Sequence, residues 1–243
     1  MKLTILIVNY KTKEILKDCI ASIRSKFLYE IIIINNSPEE NLYSLKKINP
    51  RIRIFNNKEN VKFASACNFG VGKAKGEYVM LLGTDTIILN NAIDKLISFL
   101  EKNKDYSVVA PQLLNRNLTI QKSLREFPTL KNVFQGIFFK GIYKITIENH
   151  LKSCEIVQPQ ATCILIRKEV LEIYGLFDSR FPLYFNDVDF FKKLYVNHIK
   201  TYYLVPTKVV HLYGESTKKL GSLKRKFYLY QGYFRYLRKW GVT

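Results

Sequence analysis

Asp85 closes the run Tyr78-Val79-Met80-Leu81-Leu82-Gly83-Thr84, five apolar residues released into Gly-Thr and then one carboxylate. An all-apolar run of this length suits a strand buried on both faces of a parallel sheet. Ligands of such sheets sit just beyond the carboxyl ends of the strands, so Asp85 stands where a phosphate-bound cation can meet it. Its other reading is a cap for the helix starting near Asn90. A second cluster, Asn186-Asp187-Val188-Asp189, opens a stretch in which Val188, Phe191, Leu194 and Tyr195 mark one helix face. Positions two apart on a helix point about 200° from one another, so Asp187 and Asp189 cannot both face one cleft. Asp189 reads as a first-turn residue that favours the positive helix end. The same dipole keeps Asp187 ionised, and its plainer reading is an N-cap. Arg125 is either a bidentate phosphate ligand or a surface arginine. Gln158-Pro159-Gln160 falls at the lip of a cleft, and His211 stands at a strand end, where a lone histidine is more often structural.

The elements needed to position these groups are legible as alternation. Residues 3–8, 30–34, 51–55, 78–82 and 107–110 read as apolar strands. Residues 13–25, 42–48, 63–75 and 91–102 carry helical stripes between them. Strands alternating with helices predict an α/β fold with βαβ crossovers and a parallel, doubly wound sheet. Beyond them, 111–124 reads as an irregular strand pair, 131–155 as a lid or acceptor loop, 155–167 as one strand and 201–205 as the last. The expected division is a binding half over 1–110, a second half of the same domain over 111–217, and a terminal helix over 218–243.

Composition narrows the function. The 243 residues hold 39 Lys+Arg against 20 Asp+Glu, a net charge of +19, so an anionic partner is expected. Four cysteines form no C-x-x-C pair, and three histidines make no zinc set. No apolar run reaches the roughly 18 residues of a membrane span, and the simplest expectation is a reduced cytoplasmic compartment. No G-x-G-x-x-G follows the first strand, which argues against dinucleotide binding. The strand ends carry Asn, Tyr, Thr and Asp instead, polar groups suited to reading a nucleotide.

Four fragments then fall into register: Val8-Asn9-Tyr10-Lys11-Thr12, Ile34-Asn35-Asn36-Ser37, Asn60-Val61-Lys62-Phe63-Ala64 with Asn68 and Gly70, and Leu81-Leu82-Gly83-Thr84-Asp85-Thr86. In order and spacing the chain resembles the family-2 glycosyltransferases, and within them the rhamnosyltransferase-like branch with the GT-A fold, a Rossmann-like, mainly parallel sheet flanked by helices. Tyr174-Gly175-Leu176-Phe177-Asp178 and Asn186-Asp187-Val188-Asp189 are similar to that family's later motifs. The resemblance implies a nucleoside-diphosphate sugar donor held by Asn9, Tyr10, Asn35, Asn68, Thr84, Asp85 and His211. It implies Asp187 as the catalytic base, and Arg125, Gln160 and Tyr184 on the acceptor or phosphate side. It further implies a divalent cation, Mg²⁺ or Mn²⁺, on Asp85 and His211, and a glycan or polyprenyl-diphosphate-linked acceptor. Three positions depart from the family pattern: Asn35 for an Asp that reads the base, Gly83 for an Asp or Asn, and Asn186 for a Glu. A transferase that binds donor without turnover is compatible with those losses.

From Lys200 onward there are ten Lys/Arg and one acidic residue, Glu215. Leu223, Phe227, Tyr230, Phe234 and Leu237 recur at 4-3-4-3 spacing, with Tyr233 and Trp240 beside them. Such a basic, aromatic helix either lies in an anionic membrane surface, on the inner face of the plasma membrane, or docks its stripe on the domain. A nucleic-acid-binding protein is the rival class that +19 permits. Nucleic acid is not the expected partner, because the basic residues interleave with core-forming ones and no recognised motif appears.

Overall fold

The computed structural model describes residues 1–128, 150–212 and 221–241. Four parallel strands form the first half: β1 (Leu3–Asn9), β2 (Tyr29–Asn35), β3 (Ile52–Asn56) and β4 (Tyr78–Leu82), side by side in the order β3-β2-β1-β4. Helix α1 (Lys13–Ser22), a 3₁₀ turn (Tyr43–Lys47) and α2 (Phe63–Val71) fill the crossovers. Period two sends Leu3, Ile5 and Ile7 into one core, against Leu16, Cys19 and Ile20 of α1. Leu6, Ile32 and Ile34 enter the opposite core, against Ala64 and Cys67 of α2. Every residue of β2 is buried, which is why four consecutive isoleucines, Ile31–Ile34, form its middle.

The sheet then continues through β5 (Thr86–Ile88), α3 (Ala92–Lys102) and β6 (Tyr106–Leu114). Next come the short pieces β7 (Leu124–Arg125), β8 (Cys154–Ile156) and β9 (Gln158–Pro159), followed by β10 (Cys163–Arg167), α4 (Lys168–Tyr174), α5 (Asn186–Val196), β11 (Lys200–His211) and α6 (Ser222–Trp240). The complete order is β3-β2-β1-β4-β10-β6-β11-β5, with β8 also against β11. The sheet is mainly parallel and flanked by helices, as expected. However, β10 runs antiparallel between β4 and β6, so a strand from the second half closes the middle of the sheet.

Three segments differ from the sequence reading. The single strand expected over 155–167 is three short ones, because each finds a different partner: β8 pairs with β11, β9 with β7, and β10 with the central sheet. The irregular pair expected over 111–124 is present as an isolated antiparallel bridge between Leu114 and Ile120, but its first arm is the end of β6, a continuous strand through Pro111. A proline fits there because it lies at the register shift of β11 between Leu204 and Lys208. That shift also carries β11 on to His211, well past the expected 205. The lid expected over 131–155 falls largely outside the described residues.

Helix α6 covers Ser222–Trp240, within the expected 218–243, but it docks a different stripe. Tyr233 and Tyr236 are buried against Phe181, Phe185 and Val188, with Leu229, Leu237 and Trp240 packed alongside. Of the predicted stripe only Leu237 docks; Leu223, Phe227, Tyr230 and Phe234 remain 82%, 62%, 45% and 65% exposed. Two aromatic rows lie side by side on one helix, and the domain uses the second.

Near its C-terminus α6 is tied down by charge. Lys239 Nζ lies 2.9 Å from Asp178 Oδ2, whose carboxylate also receives Arg180 Nη2 at 2.6 Å. Arg180, and then Lys239, hold the Asp178 carboxyl well below its usual range despite its partial burial. A carboxylate with a depressed folded pKa binds its proton later than the unfolded chain does. Its stabilisation is complete above the ordinary Asp value of about 4 and is lost as pH falls through the lower folded value. Thermal melts should therefore show wild type losing more stability than Asp178→Asn between about pH 6 and pH 3. Equal losses would mean the latch contributes nothing.

Candidate functional site

A cavity of about 630 Å³ opens at the carboxyl ends of β1 and β4. Its floor is Leu6 and Val8 from β1, Leu81 and Leu82 from β4, and Phe63 and Cys67 from α2. Thr84, Asp85 and His211 line it, as do Tyr184, Asn186 and Asp187, with Tyr10, Arg125 and Gln160 among the other lining residues. The two carboxylates singled out from sequence thus share one hollow.

Asp85 and His211 are brought together by the last strand pair, in which His211 of β11 stands opposite Thr86 of β5. Leu212 N also donates to Asp85 O at 2.8 Å. His211 Nδ1 lies 2.6 Å from Gln121 Oε1, while Gln121 Nε2 donates to Asn115 Oδ1 at 3.0 Å and His211 O at 3.3 Å. The amide therefore turns its oxygen to the imidazole, which places the ring proton on Nδ1. Burial lowers the His211 pKa below its usual value, against the pull of Asp85. Neutral and with its proton on Nδ1, the ring turns Nε2 towards Asp85 Oδ1, 3.6 Å away. Thr84 Oγ1, in the same wall, is buried with no hydrogen-bond partner.

A carboxylate, an imidazole nitrogen and an unpartnered hydroxyl fit a divalent cation that takes its remaining ligands from water and a substrate diphosphate. The protein's donor set is small, since among the described residues no three His, Cys, Asp or Glu gather. Gly83 explains part of the departure from the family pattern. A Cβ there would lie 3.1 Å from Asp85 Oδ1 and 3.4 Å from Thr162 Cγ2, while its own N–H and carbonyl are engaged by Thr162 and Thr86.

At the other side, Asp187 is the second residue of α5. Its Oδ1 accepts from Val188 N at 2.9 Å, and its own N–H donates to Asn186 Oδ1 at 2.7 Å. Asp189, expected to serve only the helix dipole, is instead fully buried and bonded to α6 through Trp240 and Lys239. The small β7–β9 pair sets Arg125 opposite Gln158 and brings Gln160 to the rim, where Gln160 Oε1 is buried without a partner.

Three expected donor-binding residues do not line the cavity. Asn9 and Asn35 are register partners on β1 and β2, and both are fully buried. Asn35 Nδ2 donates to Glu40 O and Asn56 Oδ1, and its Oδ1 accepts from Asn9 Nδ2 and Ser37 N. Period two puts Asn9 on the face of Leu3, Ile5 and Ile7, whereas the cavity is built on Leu6 and Val8. Asn68 is a tie: it donates to Phe177 O at 2.7 Å and accepts from Phe177 N at 3.0 Å. The neighbour Asn36 takes the cavity position instead, with Lys62, both inside the fragments already quoted, and with Tyr228 and Leu229, which no fragment contains. Lys62 and Phe185, on the cavity wall, both hold positive φ (69° and 66°). Unfavoured backbone of this kind gathers at functional sites.

The model for the family described as glycosyl transferase family 2 matches residues 4–175. An uncharacterized glycosyltransferase of Haemophilus influenzae is 28% identical over 45% of this chain and 36% of its own length. The low-salt glycan biosynthesis hexosyltransferase Agl10 of Haloferax volcanii is 24% identical over 77% of this chain and 60% of its own. The chain thus spans between about a third and three fifths of these relatives. Among solved structures, GalNAc-T7 with UDP, GalNAc and Mn²⁺ aligns at TM-score 0.67 and 16% identity, over 89% of this chain and 45% of that one. At that identity the likeness speaks for the fold alone.

Proposed function

The chain belongs to glycosyl transferase family 2, and we propose that it is an inverting glycosyltransferase of glycan synthesis, moving a deoxyhexose or hexose from a nucleoside-diphosphate sugar to a lipid-linked glycan acceptor. The observation that carries this reading is the single cavity holding Asp85 and Asp187 together. The donor diphosphate lies by Thr84, Asp85 and His211, and the acceptor hydroxyl by Asp187. As the acceptor oxygen bonds to the anomeric carbon, its proton passes to Asp187 and the bond to the diphosphate oxygen breaks on the opposite face. Asp85 and His211 would hold a divalent cation, which would supply positive charge to the leaving diphosphate. Arg125 adds a guanidinium to the same anion or to a phosphate of the acceptor. Tyr10 and Asn36 face the nucleoside. Incubation with a panel of nucleotide sugars and acceptor glycans, read as free nucleoside diphosphate and product mass, tests the assignment. Failure to bind or turn over any donor would refute it.

The membrane reading rests on α6. Among the described residues no helix is long and apolar enough to cross a membrane. The exposed row Leu223, Phe227, Tyr230 and Phe234, with exposed Lys226 and Arg238 on the same helix, suits an anionic surface on the cytoplasmic face. The chain should sediment with phosphatidylglycerol vesicles and release in high salt. Phe227→Glu combined with Phe234→Glu should weaken that binding at least about tenfold, since each phenylalanine carries roughly 1.5–3 kcal/mol of burial. Equal sedimentation of the wild type and the double variant would exclude this face.

A further inference from the structure

We infer that α6 is a positioning element for the reacting site: the Asp189–Trp240–Lys239 clasp, with Gly232 seated on the 184–185 backbone, holds Asp187 towards the cavity. This rests on the reading of Asp187 as the base. Asp187 and Asp189 belong to one turn of α5 and point to different sides of it. One lines the cavity; the other is fully buried against α6. Asp189 Oδ1 accepts from Trp240 Nε1 at 2.8 Å, and Oδ2 accepts from Lys239 Nζ at 2.9 Å. A buried carboxylate persists only where it is paired and hydrogen-bonded, and here both partners come from the last turn of α6. Lys239 also reaches Asp178 at 2.9 Å, so the same ammonium ties α6 to the segment that leads into α5.

A second contact acts on the backbone that presents Asp187. A Cβ at Gly232 would fall 2.9 Å from Tyr184 O and 3.0 Å from Phe185 Cδ2, so only glycine lets α6 approach this closely. Phe185 itself holds φ at 66°, in the left-handed region that a bulky side chain rarely occupies. Such a conformation survives where its surroundings over-determine it. Those surroundings are α6, whose Tyr233 and Tyr236 rings lie 6.0 and 5.8 Å from the Phe185 ring. Asp187 follows two residues later, and Tyr228 and Leu229 of the same helix line the cavity directly. Helix α6 therefore grips α5 from behind through Asp189 and fixes its entry turn through Phe185. Asp187 is the group whose direction both grips determine.

The test uses the full chain with the donor and acceptor that the nucleotide-sugar panel selects. Trp240→Phe keeps the aromatic bulk and removes the Nε1–H. Gly232→Ala pushes on the 184–185 backbone and leaves the Asp189 bonds in place. A displacement of about 1 Å at a reacting group costs roughly 10²-fold, so each variant should lower kcat by about 10- to 100-fold. Donor affinity by calorimetry and KM for the acceptor should stay near wild type, a split that general loosening of the fold would not give. Lys239→Arg, which keeps the ion pair, should recover most of what Lys239→Met loses. The Lys239 pair also decides the matter if Trp240→Phe fails to fold. An unchanged kcat in donor-binding Trp240→Phe, Gly232→Ala and Lys239→Met overturns the clasp. If Asp187→Asn also abolishes transfer, the base assignment stands without it; undiminished transfer in Asp187→Asn would remove that assignment itself.

Discussion

Asp187→Asn is expected to lower transfer about 10²–10⁴-fold, the usual share of a general base, while donor affinity stays at the wild-type level. The substitution is close to isosteric, and the amide oxygen can still accept from Val188 N as the carboxylate Oδ1 does. The start of α5 should therefore survive, and the loss should appear in kcat. Asn186 cannot substitute, because an amide takes up no proton at neutral pH and its own atoms are engaged by Leu183 O and Asp187 N. Asp189 cannot substitute either, being fully buried against Trp240 and Lys239. Single-turnover measurement of product, beside calorimetric titration of donor, separates the two quantities. A variant that transfers at the wild-type rate would leave Asp187 as a helix-start residue and nothing more.

Why Asp187 and Asp189 can be told apart from sequence while Asn35 cannot be excluded comes down to period. A helix turns its residues through fixed angles, so two carboxylates two positions apart fall on different sides whatever the helix packs against. A strand alternates with equal regularity, and the alternation of β1 and β2 does group Asn9 and Asn35 with Leu3, Ile5, Ile7, Ile31 and Ile33. Both faces of this sheet are apolar, however, so alternation alone does not say which face the ligand meets. The cavity lies over Leu6 and Val8, and Asn36, one residue past the strand, turns into it. The asparagines that end β1, β2 and β3 instead tie adjacent strand ends together.

Local pattern also carries the order of elements, since each buried strand and amphipathic helix is written in its own residues. Pairing between distant segments is not legible in the same way. Nothing in Cys163–Arg167 announces that it will insert antiparallel between β4 and β6. Gln121 sits 90 residues from His211 with no feature that marks it as the imidazole's partner. The same holds for α6, where two aromatic rows of similar composition compete and the docked one is chosen by Phe181, Phe185 and Val188 across the interface.

The second large effect is expected at the opposite end of the cavity. Asp85→Asn should reduce kcat/KM for the donor about 10²–10³-fold, the scale seen when a group stabilising developing charge is removed. It should also raise the Mn²⁺ or Mg²⁺ concentration needed for half-maximal turnover. The backbone bond from Leu212 N to Asp85 O does not depend on the side chain, so the strand end should keep its place. Thr84→Val supplies the contrast. Its hydroxyl is buried without a partner, a state that costs stability in the absence of ligand. Replacing it with a methyl should leave the melting temperature unchanged or raise it, yet weaken donor binding measured with the cation present. A residue kept for packing would lose stability on such a change, whereas one kept for a ligand loses only the ligand. If Thr84→Val lowers the melting temperature and leaves donor affinity intact, and Asp85→Asn turns over normally, the diphosphate does not lie at this end.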